Sequence, residues 1–189
     1  MMLYTRKGDK GDTYFFGSKE RASKSSCQTE ALGTLDELNS LLGVCKSKAE
    51  ISKKRSRKNN KQKGISISKI LEDVQQNLFI IQAAVAGADK KIAVRKIKYI
   101  EGIIQTIESE LPPIKTFFLP GATELSAFID YARTVARRAE REVVRFSETE
   151  KEVEPEILQY LNRLSSLLYA LVRFVNFKSG VKEVTPTYE

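Results

Sequence analysis

Between residues 125 and 146 the apolar side chains Leu125, Phe128, Ile129, Ala132, Val135, Ala136, Ala139, Val143 and Phe146 recur every three or four positions. That spacing lays them on one face of a helix and excludes a strand, whose side chains alternate with a period of two. Arg133, Arg137, Arg138, Arg141 and Arg145 interleave with this face, and Glu140 and Glu142 lie among them. Residues four apart stack on a helix, so Arg133, Arg137 and Arg141 form a column of guanidinium groups with Glu140 beside Arg137. Like charges at this spacing repel. Either the column is a solvated face balanced by surface ion pairs, or it is a polyanion site whose guanidinium forks hold phosphate oxygens in pairs.

Helical periodicity returns in four other stretches. Ala31, Leu35, Leu38, Leu42 and Cys45 keep the alternating four-three seam of a helix in a bundle. Thr34 with Glu37 resembles a capping box, whereas Ser25-Ser26 offers an earlier start. Asp36 and Glu37 fall beside the seam, and an aspartate near a bundle interface needs a partner, for which the arginine column is the candidate. A second helix is expected over residues 68–86, with Ile70, Val74, Ile81 and Val85 inward. A third is expected over 90–111, with Ile97, Ile100, Ile104, Ile107 and Leu111 in register and Pro112-Pro113 ending it. A fifth opens at Pro155, a residue suited to the first helical position, and carries Leu161, Leu164, Leu168, Leu171 and Val175. Asn162, Arg163, Ser165, Ser166, Arg173 and Asn176 interrupt that stripe, which points to a ligand or a subunit contact. The pattern predicts one all-α domain over residues 1–189, an antiparallel five-helix bundle with an ordered glycine-containing N-terminal loop.

The chain has 189 residues and no histidine. Imidazole bases, Ser-His-Asp or Cys-His catalysis and His-ligated metals are therefore excluded. Any chemistry must use carboxylates, cations, hydroxyls or a reactive group on the ligand. Cys27 and Cys45 lack a metal-type spacing and suit reduced thiols of a cytoplasmic protein. No apolar run is long enough to span a bilayer, and the N-terminal residues contain no apolar signal core, which argues against export. The net charge of +8 resides in one segment: residues 46–63 hold nine Lys or Arg against the single carboxylate of Glu50. With so little apolar surface, residues 46–64 read as a basic mobile insert, a solubilising one in preference to an RNA or membrane contact. Residues 180–189 read as a loose tail.

Residues 1–24 are short and polar, with Thr5-Arg6-Lys7-Gly8-Asp9-Lys10-Gly11-Asp12-Thr13 reading as consecutive turns. Such a loop can aim several N–H groups inward as an anion nest, although it lacks the Gly-x-x-x-x-Gly-Lys spacing of a P-loop. An ordinary turn is the plainer reading of the loop alone.

Four separated segments resemble one family. Tyr4-Thr5-Arg6-x-Gly8-Asp9-Lys10-Gly11 is the first, and Lys24 followed by Glu30-Ala31-x-Gly33-Thr34-x-Asp36-Glu37-Leu38-Asn39 the second. Phe117-x-Leu119-Pro120-Gly121 leading to Arg133-x-x-x-Arg137-Arg138-Ala139-Glu140-Arg141 is the third, and Leu161-Asn162-Arg163-Leu164-Ser165 the fourth. In this order they are similar to the PduO-type ATP:cob(I)alamin adenosyltransferases. The resemblance implies a homotrimer of five-helix bundles with active sites between subunits. Thr5, Arg6, Gly8, Asp9, Gly11, Thr13 and Lys24 would contact ATP, and Arg133, Arg137, Glu140, Arg141 and Asn162 would complete its site. Mg²⁺ would ride on the phosphates with Glu140 as the candidate protein ligand, and K⁺ is the candidate assisting monovalent ion. Asp36 and Arg133 match positions whose ion pair crosses the subunit boundary, and Phe117 matches the aromatic residue at the lower face of a cobalamin-type corrinoid.

The implied reaction accounts for the missing imidazole. Co(I) is itself the nucleophile; it attacks C5′ of ATP, forms adenosylcobalamin and expels tripolyphosphate, and no proton is removed. Four positions depart from the family: Lys7 and Asp12 for threonine, Ser18 for glycine, and Ser166 for aspartate. Asp12 would place a negative charge near the phosphates. The alternative from another class is a catalytically inactive nucleotide-binding trimer with a regulatory or chaperone role; an RNA-binding protein acting through residues 46–63 is the third. A cob(II)alamin reductase and a B12-dependent mutase are the implied transient partners, and neither a membrane nor a nucleic acid is expected.

Overall fold

The computed structural model describes residues 4, 6–15, 18, 20–56 and 65–188. Two short strands, β1 (Asp12–Tyr14) and β2 (Arg21–Ser23), form an antiparallel hairpin. Five helices follow: α1 (Cys27–Ser56), α2 (Ile67–Val85), α3 (Val94–Glu110), α4 (Glu124–Thr149) and α5 (Pro155–Lys178). The expected all-α bundle is what the chain forms.

α4 packs between α1 and α5, while α2 lies on α1 and α3 on α5. Side-chain links give the directions. Cys27, Glu37 and Lys48 of α1 meet Glu150, Arg138 and Glu124 respectively, so α1 and α4 run antiparallel. Glu101 and Glu110 of α3 meet Arg163 and Lys178 of α5 in the same chain order, so that pair runs parallel. Consecutive helices thus alternate in direction, and the two odd-numbered neighbours α3 and α5 must agree.

The core is the meeting of the predicted stripes. Leu35, Leu38 and Leu42 of α1, Ile129, Ala136 and Val143 of α4, and Leu161, Leu164 and Leu168 of α5 are all fully buried. Full burial of a leucine-sized side chain is worth about 1.5–3 kcal/mol. One polar group inside this core is paired on both sides: Asn77 of α2 donates to the Tyr160 hydroxyl of α5 at 3.0 Å and accepts from Lys96 of α3. Burial raises the Tyr160 phenol far above its ordinary range and keeps it neutral.

Of the two starts open for α1 the earlier one holds, and three expectations need correction. α1 begins at Cys27, where Ser26 Oγ accepts the Thr29 N–H at 3.2 Å as an N-cap does. The Thr34–Glu37 capping box does not form; Thr34 Oγ1 donates to the Glu30 carbonyl at 2.8 Å in mid-helix. Residues 46–56 continue α1 and are not a loop, because Ala49 keeps the buried seam four residues beyond Cys45; residues 57–64 lie outside the described residues. The C-terminal segment is not loose throughout: the Val184 carbonyl accepts the Leu119 N–H at 2.8 Å, and Glu183 pairs with Arg173. α2 and α3 each fall within a few residues of their expected limits, and Leu111 caps α3 half-buried. No helix among the described residues is long and apolar enough to cross a membrane.

Burial pushes the Cys45 thiol up to about 11, whereas Cys27 is only partly covered at the start of α1. Because the thiolate is the reactive form, Ellman's reagent at pH 8 is expected to modify one thiol per folded chain and both after denaturation. Cys27→Ser should abolish the native-state reaction; a second thiol reacting at the same rate in the folded protein would contradict the packing of α1.

Candidate active site

The segment between α3 and α4 is stopped at one end by Pro112-Pro113 and at the other by a capping box. There Thr123 accepts the Ser126 N–H at 3.1 Å, and Ser126 Oγ accepts the Thr123 N–H at 3.0 Å. The expected turn at Pro120-Gly121 is present, with Gly121 at φ +103°. Held between these ends, the segment walls a cavity of about 1070 Å³ whose other sides are the end of α3, the first half of α4 and the middle of α5. Phe117 stands in this wall with 76% of its surface exposed. An aromatic ring so placed fits an apolar occupant of the cavity.

Arg133 and Arg137 edge the same cavity. Arg133 Nε donates to Asp130 Oδ1 at 2.6 Å, and the Asp130 side chain retains only 13% of its exposure. Asp130 went unrecognised in the sequence, although a carboxylate three residues before an arginine is the ordinary helical ion-pair spacing. Arg137 is exposed, and its carbonyl accepts from Arg141 Nη1 at 3.0 Å. Among the described residues neither Arg137 nor Arg141 has a carboxylate within ion-pair distance, so their charge faces open space. The acid of α1 that meets α4 is Glu37, bound to Arg138, and not Asp36. One residue turns a helix by about 100°, so only one of two adjacent acids can face α4. Asp36 is exposed and has no ion pair within the chain among the described residues.

Glu140 and Asn162 come together as expected, with Asn162 Nδ2 donating to Glu140 Oε1 at 2.9 Å. Arg163 extends the chain, donating to Asn162 Oδ1 at 2.8 Å and to Glu101 at 2.9 Å. These bonds fix the rotamer of Glu140 on the same helix as the arginines. Ser166, at the position of an expected aspartate, lines the cavity as an exposed hydroxyl.

The N-terminal loop is organised by Arg21, a residue that no sequence motif singles out. From β2 it grips both carboxylate oxygens of Asp12, binds the Lys7 carbonyl and stacks 4.7 Å from the Tyr14 ring. Asp12 is thus neutralised inside the loop. The Arg21 hydrogen bond holds its carboxyl below the usual range. Strands of three residues are too short to show this pairing by alternation. Lys24 Nζ donates to the Gly8 carbonyl at 2.8 Å, and the Lys24 N–H to the Gly11 carbonyl at 2.9 Å. Gly11, at φ +81°, takes a left-handed turn that a side chain would oppose. Arg6 adopts φ +58° despite carrying a side chain, a cost of the kind that concentrates at ligand loops. Asp9 is exposed beside it, and Thr13 is half-buried in β1. Thr5 lies outside the described residues. No hydrogen bond or ion pair joins this loop to Arg133, Arg137, Arg141, Glu140 or Asn162 among the described residues.

The bundle therefore defines a helical protein with an apolar cavity edged by cations and, apart from it, a glycine-turn loop suited to an anion. The sequence profile of the family described as cobalamin adenosyltransferase matches residues 3–175, and the chain belongs to that family. The chain is 36% identical over 184 residues to the corrinoid adenosyltransferase of Bacillus subtilis (strain 168), covering 97% of this chain and 91% of that one. It is 38% identical over 180 residues to the corrinoid adenosyltransferase PduO of Citrobacter freundii, covering 92% of this chain and 49% of that protein's length. The chain thus spans about half of that longer relative. A variant of the PduO-type ATP:corrinoid adenosyltransferase from Lactobacillus reuteri, complexed with cobalamin and ATP, superposes with a TM-score of 0.84 at 30% identity, covering 98% of this chain and 99% of that one.

Because the Asp12 carboxyl is held down by Arg21, its contribution to loop order is complete above the unfolded value of about 3.9 and is lost as pH falls through the lower folded value. Asp12→Asn should make the Lys24 amide exchange several-fold faster at pH 7. The difference from wild type should vanish in acid below the folded Asp12 value, and an equal ratio at both pH values would refute the pairing.

Proposed function

We propose that the protein transfers the 5′-deoxyadenosyl group of ATP to the cobalt of a reduced corrinoid. Co(I) supplies both electrons of the new cobalt–carbon bond, the C5′–O bond breaks, and tripolyphosphate leaves with that electron pair. Nothing in this step needs a base, which suits a chain with no histidine. The observation that carries the reading is the exposed Phe117 ring in a large cavity whose edge is Arg133 and Arg137. A corrinoid macrocycle needs an apolar, non-coordinating surface below the cobalt, and the departing phosphates need fixed positive charge beside it. A donor below cobalt would raise the orbital that accepts the electron on reduction to Co(I), and phenylalanine cannot donate. Relatives whose names record corrinoid adenosyl transfer, and a structural neighbour complexed with cobalamin and ATP, support the same assignment.

In this reading Arg6, Gly8, Asp9, Gly11, Thr13 and Lys24, with Thr5, hold the nucleotide from the N-terminal loop. Arg137 and Arg141 neutralise the phosphates, while Glu140, oriented by Asn162, completes the site. Mg²⁺ would lower the charge of the triphosphate. Among the described residues no three His, Cys, Asp or Glu side chains cluster as a cage, which fits a Mg²⁺ held mainly by phosphate oxygens and water, with Glu140 as its protein contact. The separation of nest from arginine column within one chain favours a homotrimer in which each site is shared, and the exposed Asp36 is free to meet Arg133 across that boundary. Two unbridged thiols suit the cytoplasm. An enzyme that reduces cob(II)alamin must supply the substrate, and one that uses adenosylcobalamin, such as a mutase, must take the product.

Anaerobic mixing with cob(I)alamin and MgATP should produce the adenosylcobalamin spectrum and one tripolyphosphate per turnover. Nucleotide binding without the spectral change would indicate a regulator. Phe117→Ala should lower turnover started from cob(II)alamin with a reductant by about tenfold or more while leaving the KM for ATP within roughly twofold. Equal damage to both would remove Phe117 from the corrinoid face.

A further inference from the structure

We propose that Glu183 is a positioning residue for the corrinoid face, acting through Arg173 on the segment that carries Phe117. The inference rests on the adenosyl-transfer reading and adds to it a role for the chain beyond α5.

Residues 112–119 lie in neither helix nor strand, and their one backbone–backbone hydrogen bond among the described residues runs from the Leu119 N–H to the Val184 carbonyl, at 2.8 Å. What else fixes this segment is Arg173. Its guanidinium donates to the Pro112 carbonyl at 3.4 Å and lies 5.1 Å from the centre of the Phe118 ring, so it touches both flanks of Phe117. Arg173 is itself held by Glu183, Nε to Oε2 at 3.1 Å, and the other oxygen of Glu183 accepts Asn176 Nδ2 at 3.1 Å. Both charged side chains are largely buried, at 6% and 14% exposure.

The chain reaches this place by reversing at Gly180, whose φ of +65° is a left-handed conformation that glycine adopts at little cost. Residues 181–184 then run back as a strap, giving Glu183 to Arg173 and Val184 to Leu119. A buried guanidinium without its carboxylate would lose the partner that compensates its desolvation, and would turn toward solvent or the cavity. Its hold on Pro112 and Phe118 would weaken, and Phe117 would lose its fixed height in the cavity wall. Misplacement of a positioned group by about 1 Å can cost a hundredfold in rate. The cost should fall on the step that needs the lower face of the corrinoid closed, the reduction of Co(II), and not on transfer from Co(I) already formed.

The test compares wild type with Glu183→Gln, which keeps shape and removes charge. Transfer is measured from cob(II)alamin with a reductant and from pre-reduced cob(I)alamin, with amide exchange at Leu119 as the structural readout. A wild type inactive with cob(I)alamin would defeat the parent reading alone. Given an active wild type, the variant should lose about tenfold or more from cob(II)alamin, stay within about twofold from cob(I)alamin, and exchange the Leu119 amide faster. The nitrogen splitting in the electron paramagnetic resonance spectrum of bound cob(II)alamin, which reports a donor still coordinated below cobalt, should grow. Equal loss from both cobalt states, or no loss from either, would overturn the proposal. Should Glu183→Gln fail to fold, Glu183→Asp keeps the charge but withdraws it by one methylene, and the same selective loss is required of it.

Discussion

The close packing of α4 between α1 and α5 governs everything else in the molecule. Ala132, Ala136 and Ala139 have no exposed surface, and their small side chains let neighbouring backbones approach along the middle of the helix. Leu125, Ile129, Val143 and Phe146 anchor its two ends in the same core. A helix enclosed on two sides has one strip left for charge. The residues that fall on that strip, Arg133, Arg137 and Arg141, are held in a row by packing they take no part in. Their mutual repulsion is set against burial of a whole apolar face, and burial outweighs it.

How the remaining charges are arranged follows from this row. Arg133 and Arg145 find acids on their own helix, Asp130 and Glu142, and Arg138 finds Glu37 on α1. The exposed pairs among these contribute little to stability, because water screens them and their side chains lose freedom. Their effect is geometric: they pull some guanidinium groups aside and leave Arg137, on the cavity edge, and Arg141, one turn further along α4, without a carboxylate partner among the described residues. The Arg173–Glu183 pair differs in kind. It is shielded from water and sits where α5 meets two irregular pieces of chain, residues 112–119 and the strap, so its worth lies in fixing their relative positions.

Legibility in the sequence tracked periodicity. Five apolar stripes gave five helices, because a buried face repeats and each repeat adds to the same signal. The far end of α1 was missed since residues 46–56 are mostly polar, and only Ala49 carries the seam across them. Thr34 looked like a cap because Thr-x-x-Glu also arises inside a helix, where the hydroxyl simply bonds back one turn. The strap was illegible for a stronger reason: Arg173 and Asn176 stand out as polar interruptions of the α5 stripe, but their partner Glu183 is one glutamate in a tail, which has no period to mark it. In the site, Phe117 and the arginine column were recognisable from their motif, whereas Asp130 and Arg21 act by neutralising neighbours and carry no motif of their own.

Taken together, these features assign the chemistry to the ligands and the geometry to the chain. Three of the cations that line the cavity, Arg133, Arg137 and Arg173, are guanidinium groups, which keep their charge at any physiological pH because arginine does not deprotonate in proteins. Histidine, the side chain that ordinarily changes charge near neutrality, is absent. It is also a strong nitrogen ligand for cobalt, so its absence removes both a titrating group and a competitor for the metal's lower face. In the proposed reaction the protein would then contribute fixed charge, from Arg133 and Arg137, and the non-coordinating ring of Phe117, both on the wall of one cavity.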